Sequence, residues 1–307
     1  MVDAAANLLA GNLVAFPTET VYGLGADACN EMAIARIYSV KDRPADHPLI
    51  VHVASIDVLG EWACDVPGYA ISLAQEFWPG PMTLIMKRSA LAGDFITGGQ
   101  DTVGVRVPDH PIALGLLESF ARAGGKGVAA PSANRFGNVS PTTAQAVENE
   151  LCKYLADADQ ILDGGPCQVG VESTIIDCTG STPRILRPGA VTAEKIQEST
   201  GLQVVDAVEG DEIRVSGSLD SHYAPVATVV LDQRPSAGQG FIAMVDTATP
   251  DGVVRLASPK THVEFARVLY AALRSADENG LTTVVVQQPQ GDGIAIAIRD
   301  RLKRSAG

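Results

Sequence analysis

An apolar run, Leu13-Val14-Ala15-Phe16, stops at Pro17 and gives way to Thr18-Glu19-Thr20-Val21-Tyr22-Gly23-Leu24-Gly25; Lys41-Asp42-Arg43-Pro44 then adds paired cations. The run has the length and composition of a buried strand, and proline ends it because it has no ladder donor. Hydroxyls therefore begin where a strand ends. Asn30 is an N-cap candidate for a helix whose apolar face is Ala33, Ile34, Ile37 and Tyr38, and the helix must fail before Pro44. Lys41 and Arg43 stand at its exit. Gly23 and Gly25 permit close backbone approach or positive φ, so backbone N–H groups and two cations are available to a phosphorylated ligand. A pair of glycines without a third also occurs in an ordinary strand-turn-helix with a solvated basic end. Both readings stand at this point.

At 307 residues the chain is long enough for one large and one small domain. Hydrophobic content of 46% with 5% aromatics and 30 glycines favours an α/β protein packed by Ala, Val, Ile and Leu. A net charge of −13 argues against broad charge-driven adhesion to nucleic acid or anionic membranes, though not against a local basic cleft. Cys29, Cys64, Cys152, Cys167 and Cys178 contain no Cys-x-x-Cys, which suggests neither a zinc site nor a disulfide framework and fits a reducing compartment. No basic leader precedes an apolar stretch and no run approaches ~18 apolar residues, so the expectation is a cytoplasmic protein with no membrane segment.

Strand-like runs recur at 49–53, 83–86, 103–107, 127–130, 161–162 and 174–177 between helical patterns, giving one α/β domain over residues 1–200. Ser140-Pro141-Thr142-Thr143-Ala144-Gln145 combines proline with a Thr-x-x-Gln capping box, and Thr192 caps another helix. Residues 201–225 lose the periodicity, carry Asp206, Glu209, Asp211 and Glu212, pass through Ser216-Gly217-Ser218 and read as a linker. Beyond it, 226–231, 241–245 and 284–287 read as strands, and Thr261-His262-Val263-Glu264 opens a helix through Phe265, Val268, Leu269 and Leu273. Residues 226–307 thus form a small α/β domain. The cluster Gly124-Gly125-Lys126-Gly127 lacks the Ser or Thr of a phosphate loop and reads as a loop before a strand.

Further polar groups emerge at strand ends. In Asp101-Thr102-Val103-Gly104-Val105-Arg106-Val107 the period of two puts the valines on one face and Thr102, Gly104 and Arg106 on the other. Arg106 is either a bidentate grip for a carboxylate or phosphate or an edge-strand cation in solvent. Pro131-Ser132-Ala133-Asn134 follows a buried strand, where Ser132 and Asn134 either reach a ligand or close a turn. Gly170-Val171-Glu172-Ser173-Thr174 and Leu186-Arg187-Pro188-Gly189 repeat the theme. Strand ends are the usual ligand site of open α/β sheets. With no Gly-x-Ser-x-Gly elbow and no His-Glu-x-x-His, the groups suit binding and orientation rather than a covalent enzyme intermediate.

These blocks, with His47-Pro48-Leu49-Ile50-Val51-His52 and Trp78-Pro79-Gly80-Pro81, closely resemble the YrdC-type threonylcarbamoyl-AMP synthase family over roughly the first 200 residues. Ser221-His222-Tyr223-Ala224-Pro225 and the small domain after it resemble its long form, so the resemblance implies a YrdC-like twisted-sheet α/β domain followed by a small Rossmann-like α/β domain. It also implies synthesis of L-threonylcarbamoyl-AMP and pyrophosphate from L-threonine, bicarbonate or CO2, and ATP, for tRNA modification beside the anticodon. Threonine falls to Thr20, His52, Arg106, Ala130 and Ser173, with Arg106 as the carboxylate clamp. The nucleotide falls to Lys41, Arg43, His47, Thr102, Ser132, Asn134, Ser140, Arg187 and Tyr223, with Tyr223 closing as part of a lid. Lys41, Arg43 and His52 carry the chemistry, His52 being either the acceptor of the threonine amine's proton or a buried strand histidine. Magnesium arrives with ATP, no protein ligand being assigned to it. The partners implied are the downstream tRNA threonylcarbamoyl-transfer machinery, with at most weak direct tRNA binding. Two positions depart from the family: His47 stands where many relatives have asparagine, and Ser216-Gly217-Ser218-Leu219-Asp220 replaces a Pro-Gly turn with basic residues. An RNA-binding module and a carbamoyl-transfer or nucleotide-hydrolysing enzyme are the competing readings.

Overall fold

The computed structural model describes residues 1–206, 213–217 and 223–307. Glu209, Asp211, Glu212, Ser218, Leu219, Asp220, Ser221 and His222, named in the linker, lie outside the described residues.

The strands are β1 (Val14–Phe16), β2 (Gly23–Asp27), β3 (Ile50–His52), β4 (Met82–Lys87), β5 (Thr102–Arg106), β6 (Val128–Ala129), β7 (Gln160–Ile161), β8 (Thr174–Asp177), β9 (Arg184–Arg187), β10 (Val205–Asp206), β11 (Thr228–Leu231), β12 (Gly240–Ile242), β13 (Val254–Ala257) and β14 (Thr283–Val286). The helices are α1 (Val2–Leu9), α2 (Glu31–Lys41), α3 (Leu59–Trp62), α4 (Gly68–Phe77), α5 (Asp94–Thr97), α6 (Pro111–Arg122), α7 (Ala144–Leu151), α8 (Ala193–Thr200), α9 (His262–Glu278) and α10 (Ile294–Ala306).

Among the described residues, the first ten strands make one mixed sheet in the order β10-β9-β8-β4-β5-β3-β6-β2-β1-β7. Its middle is apolar on the face the alternation requires: Val103, Val105 and Val107 sit in a core with Leu84, Met86, Val51 and the α2 residues Ala33, Ile34 and Ile37. Asn30 caps α2 by accepting from the Ala33 N–H at 3.1 Å. The parallel pairing of β3 with β5 sets His52 opposite Arg106, so adjacent strands deliver an imidazole and a guanidinium side by side.

The remaining strands form an all-parallel sheet in the order β11-β14-β12-β13. Phe265, Leu269 and Leu273 of α9 pack with Val229, Ile242, Val284 and Val286, and the same core takes in Val21, Val139, Val171 and Tyr223. The small sheet's helices therefore pack against loops of the large one.

One local reading is settled and two change. Of the two readings open for Gly23 and Gly25, the strand holds: they lie in β2, paired with Phe16 and Val14, and neither has positive φ. Gly25 is there for close packing, since a Cβ would come within 2.8 Å of both the Phe16 ring and Val128. The α7 cap is Thr143, accepting from Ala146 at 3.2 Å, and Gln145 bonds Glu148 and Asn149, so the Thr142–Gln145 box does not form. Arg187 ends strand β9 rather than occupying a free turn, and β10 extends the sheet into the stretch read as linker. Strand β13 escaped notice because Val-Arg-Leu-Ala carries a half-exposed arginine and little apolar contrast. No helix among the described residues is long and apolar enough to cross a membrane.

Candidate active site

Strand ends and loops of the large sheet line a cavity of about 50 Å³. Nine of the sequence candidates line it: Thr20, Arg43, His52, Arg106, Ala130, Ser132, Ser173, Arg187 and Tyr223.

One wall is built on Arg106. Its Nη1 donates to Thr20 Oγ1 at 3.0 Å, its Nη2 to Glu19 Oε1 at 2.5 Å and its Nε to the Gly80 carbonyl at 3.3 Å. Glu19 completes the brace by accepting from the Asp109 N–H at 3.1 Å. Each terminal nitrogen keeps one N–H spare, the geometry that grips a ligand carboxylate. Thr18 orders the loop, its hydroxyl accepting from the Thr20 and Val21 N–H groups and donating to the Val21 carbonyl. Beside Arg106, burial first and the guanidinium charge second push the His52 imidazole down to about 3, so it is neutral at physiological pH. Its ring stands edge-on to Phe16, and its Nδ1 is buried with no partner among the described residues. In a cavity-lining residue an orphaned ring nitrogen is a waiting hydrogen-bond partner for a ligand.

A second group of lining residues is cationic. Arg43 donates to the Pro48 carbonyl at 3.0 Å and Ser216 Oγ at 3.1 Å, with its guanidinium 5.6 Å from the Phe136 ring centre. Burial pulls its pKa down to about 10, still a cation at neutral pH. Arg187 donates to the Ser173 carbonyl and hydroxyl and to the Ser216 carbonyl, and burial lowers its pKa too. Ser173 is fixed from behind by Thr83, hydroxyl to hydroxyl at 2.8 Å. Among the described residues neither Arg43 nor Arg187 forms an ion pair with a carboxylate. Two buried guanidinia thus face one cavity; the Glu172 carboxylate acts on Arg187 and Asp46 on Arg43 without closing an ion pair, and a polyanion would complement them.

The other five candidates stand behind or beside this group. Lys41 is 1% exposed and spends its ammonium on the backbone carbonyls of Ser132 and Asn134; burial, then the Arg43 charge, holds its pKa well below the usual lysine value. It shapes the Ser132 loop instead of facing the cavity. Asn134 donates to the Arg135 and Asn138 carbonyls and keeps a buried Oδ1 with no partner among the described residues. Ser140 donates to Glu172 Oε1 at 2.6 Å. His47 packs edge-on against Phe136, its pKa lowered by burial and by Arg43. Thr102 opens onto a smaller neighbouring cavity of about 10 Å³ that shares Ile50 and Ser216 with the first.

Of the site residues that went unassigned in the sequence, four matter most. Glu19 and Glu172 were inside quoted motifs, Glu19 between two threonines and Glu172 between Val171 and Ser173, and a carboxylate beside hydroxyls signals an internal counter-ion. Ser216 and Gly217 close over the cavity from residues 213–217, and Gly217 has φ +81° with a virtual Cβ 1.9 Å from the Tyr223 hydroxyl, so only glycine fits. Tyr223 itself is buried in a left-handed backbone conformation and stacks on Tyr270 at 5.8 Å.

Residues 6–189 match the Sua5–YciO–YrdC family model, described as "Telomere recombination", and residues 191–307 match the model for the threonylcarbamoyl-AMP synthase C-terminal domain. The chain belongs to the Sua5–YciO–YrdC family. Family members named threonylcarbamoyl-AMP synthase include one from Pyrococcus abyssi, 39% identical with 99% of this chain and 93% of the relative covered. Another, from Bacillus subtilis, is 40% identical with 100% and 93% covered. A crystal structure of P. abyssi Sua5 complexed with L-threonine superposes with a TM-score of 0.88 at 38% identity, covering 99% of this chain and 94% of that one. The expected α/β architecture, a twisted mixed sheet followed by a smaller parallel one, is thus that of the Sua5 members.

Proposed function

We propose that this protein is an L-threonylcarbamoyladenylate synthase, condensing L-threonine, bicarbonate or CO2, and ATP into L-threonylcarbamoyl-AMP and pyrophosphate for tRNA modification. The observation that carries the site assignment is the division of one cavity into a neutral-imidazole, braced-arginine wall and a two-guanidinium wall with no paired carboxylate among the described residues. The first suits a zwitterionic amino acid, the second a triphosphate.

In this reading Arg106 takes the threonine carboxylate with its spare N–H groups, and Thr20, Ala130 and Ser173 border the side chain. His52, neutral and short of a partner, holds a hydrogen bond to the amine as it adds to CO2, and the proton released leaves to solvent, since an imidazole held near 3 is too weak a base to keep it. The carbamate oxygen then attacks the α-phosphorus, a P–O bond forms, and the bond to the departing pyrophosphate breaks. Arg43 and Arg187 offset the charge, so positioning and electrostatics supply the rate, with no covalent enzyme intermediate. Ser132, Ser140, Asn134, His47, Thr102 and Lys41 shape the nucleotide side, and Tyr223 closes it. Glu19 is engaged by Arg106 and Glu172 by Arg301; magnesium therefore enters as the ATP complex. Residues 1–200 serve as the catalytic domain, 201–225 as linker and lid, and 226–307 as the small domain. The product passes to threonylcarbamoyl-transfer machinery acting on tRNA.

Pyrophosphate release from Mg-ATP by purified protein, with threonine and bicarbonate omitted in turn, tests the proposal. Release must require both; release indifferent to threonine refutes it.

A further inference from the structure

Glu172 sits in the cavity wall, 5% exposed, yet most of what holds it comes from the small domain. Its Oε2 accepts from Tyr270 Oη of α9 at 2.9 Å and from Arg301 Nε of α10 at 2.7 Å, while Oε1 accepts from Ser140. Arg301 is wholly buried and serves more than Glu172. Its Nη2 donates to the Pro188 carbonyl at 3.0 Å, next to Arg187, and its guanidinium lies 5.5 Å from the Tyr223 ring centre. One turn later Ser305 Oγ donates to the Tyr223 carbonyl at 2.9 Å. Asp300 takes the remaining terminal nitrogen at 2.5 Å.

A buried ion pair is by itself weak evidence of anything beyond cohesion. Here, however, the guanidinium's contacts gather three nucleotide candidates, while of the threonine candidates they come near Ser173 alone, through the Glu172 carbonyl at 3.5 Å. Ser140, Arg187 and Tyr223 are nucleotide candidates, and all three are one bond, or one residue, from an atom that Arg301 holds or touches. None of the hydrogen bonds to Arg106, Thr20 or His52 among the described residues comes from α10.

We infer that Arg301 is a positioning residue for the nucleotide side of the cavity, through which the small domain sets the placement of Ser140, Arg187 and Tyr223. The inference rests on the synthase reading for the identity of the ligand, not for the geometry. Of Arg299, Asp300 and Arg301, the last is the one the fold buries completely.

The test uses the full chain with Arg301→Gln, Arg301→Lys and Tyr270→Phe, measuring pyrophosphate release with ATP and threonine varied separately. Titration with a non-hydrolysable ATP analogue and thermal melting accompany it. Arg301→Gln should raise the KM for ATP about tenfold or more while moving the threonine KM less than about threefold, as expected for losing charge-assisted bonds on one wall only. Arg301→Lys, which keeps the charge without the planar fork, should recover part of the ATP affinity. Tyr270→Phe removes one hydroxyl, should move the ATP KM about threefold in the same direction, and carries the test if Arg301→Gln does not fold. A lowered melting temperature with both KM values unchanged, or equal rises in both, overturns the inference and leaves Arg301 merely structural. If the unaltered protein binds the analogue but releases no pyrophosphate, the synthase reading fails while the analogue titrations still decide the positioning role. An analogue that binds unaltered protein and variants alike overturns it.

Discussion

Removing Arg106 separates two consequences that the structure has tied together. Its guanidinium is 5% exposed and pairs with Glu19, 6% exposed, at 2.5 Å. Arg106→Ala leaves that carboxylate buried and without its cation, which costs about 3–5 kcal/mol of folding stability. It also removes the N–H groups offered to the threonine carboxylate, worth about 1.5–3 kcal/mol, or roughly 10- to 100-fold in the threonine KM. Glu19→Gln placed in the same chain removes the stranded charge, so the double variant should regain most of the stability and none of the threonine affinity. Chemical denaturation reads the first effect, and pyrophosphate release with threonine and ATP varied separately reads the second. If the double variant, folded to the wild-type level, shows equal losses toward ATP and threonine, Arg106 is not a threonine clamp. If it recovers threonine affinity, the single variant's defect was purely structural.

Lys41→Met should destabilise the protein by about 1–3 kcal/mol, because the Ser132 and Asn134 carbonyls lose a buried donor; it should also weaken ATP more than threonine, and steady-state KM values with a melting curve check both. Gly217→Ala puts a methyl into the space of the Tyr223 hydroxyl at φ +81°, so the closing segment must shift and the ATP KM should rise while the melting temperature changes little; an unchanged KM refutes the tight closure. His52 binds its proton near 6.5 when unfolded and near 3 when folded. Its burial therefore stabilises nothing at acid pH: the unfolded chain takes up the proton first, and stability present above pH 6.5 falls as pH drops toward 3. The loss is on the order of a few kcal/mol. His52→Asn should flatten that part of the stability profile measured by denaturation across pH 3–8.

Much of the site was legible because chemistry and local structure coincide in the chain. Asn30 caps the helix it was expected to cap, the valines of β5 face the core, and the strand-end motifs around Thr20, Arg106, Ser132 and Ser173 converge on one cavity. Other readings stayed open for a physical reason. Gly23 and Gly25 were left between a phosphate-facing turn and an ordinary strand because glycine tolerates any backbone; the ladder with β1 and the crowding of Gly25 by Phe16 and Val128 decide for the strand. Thr142 and Thr143 are equally good caps by residue type, and in the fold the second is the one that caps α7.

Composition and short-range pattern were enough to establish an α/β chain with hydroxyls and cations at strand ends, since strand periodicity and helix capping act over a few residues. Only the tertiary structure decided which charges are paired. Arg106 and Arg187 look alike in the sequence, yet one is held by Glu19, eighty-seven positions away, and the other faces the cavity with no carboxylate paired to it among the described residues. Glu172 finds its counter-ion 129 positions later, in another sheet's helix. Charge compensation depends on distance in space and on exclusion of water, and neither is a property of neighbouring residues along the chain.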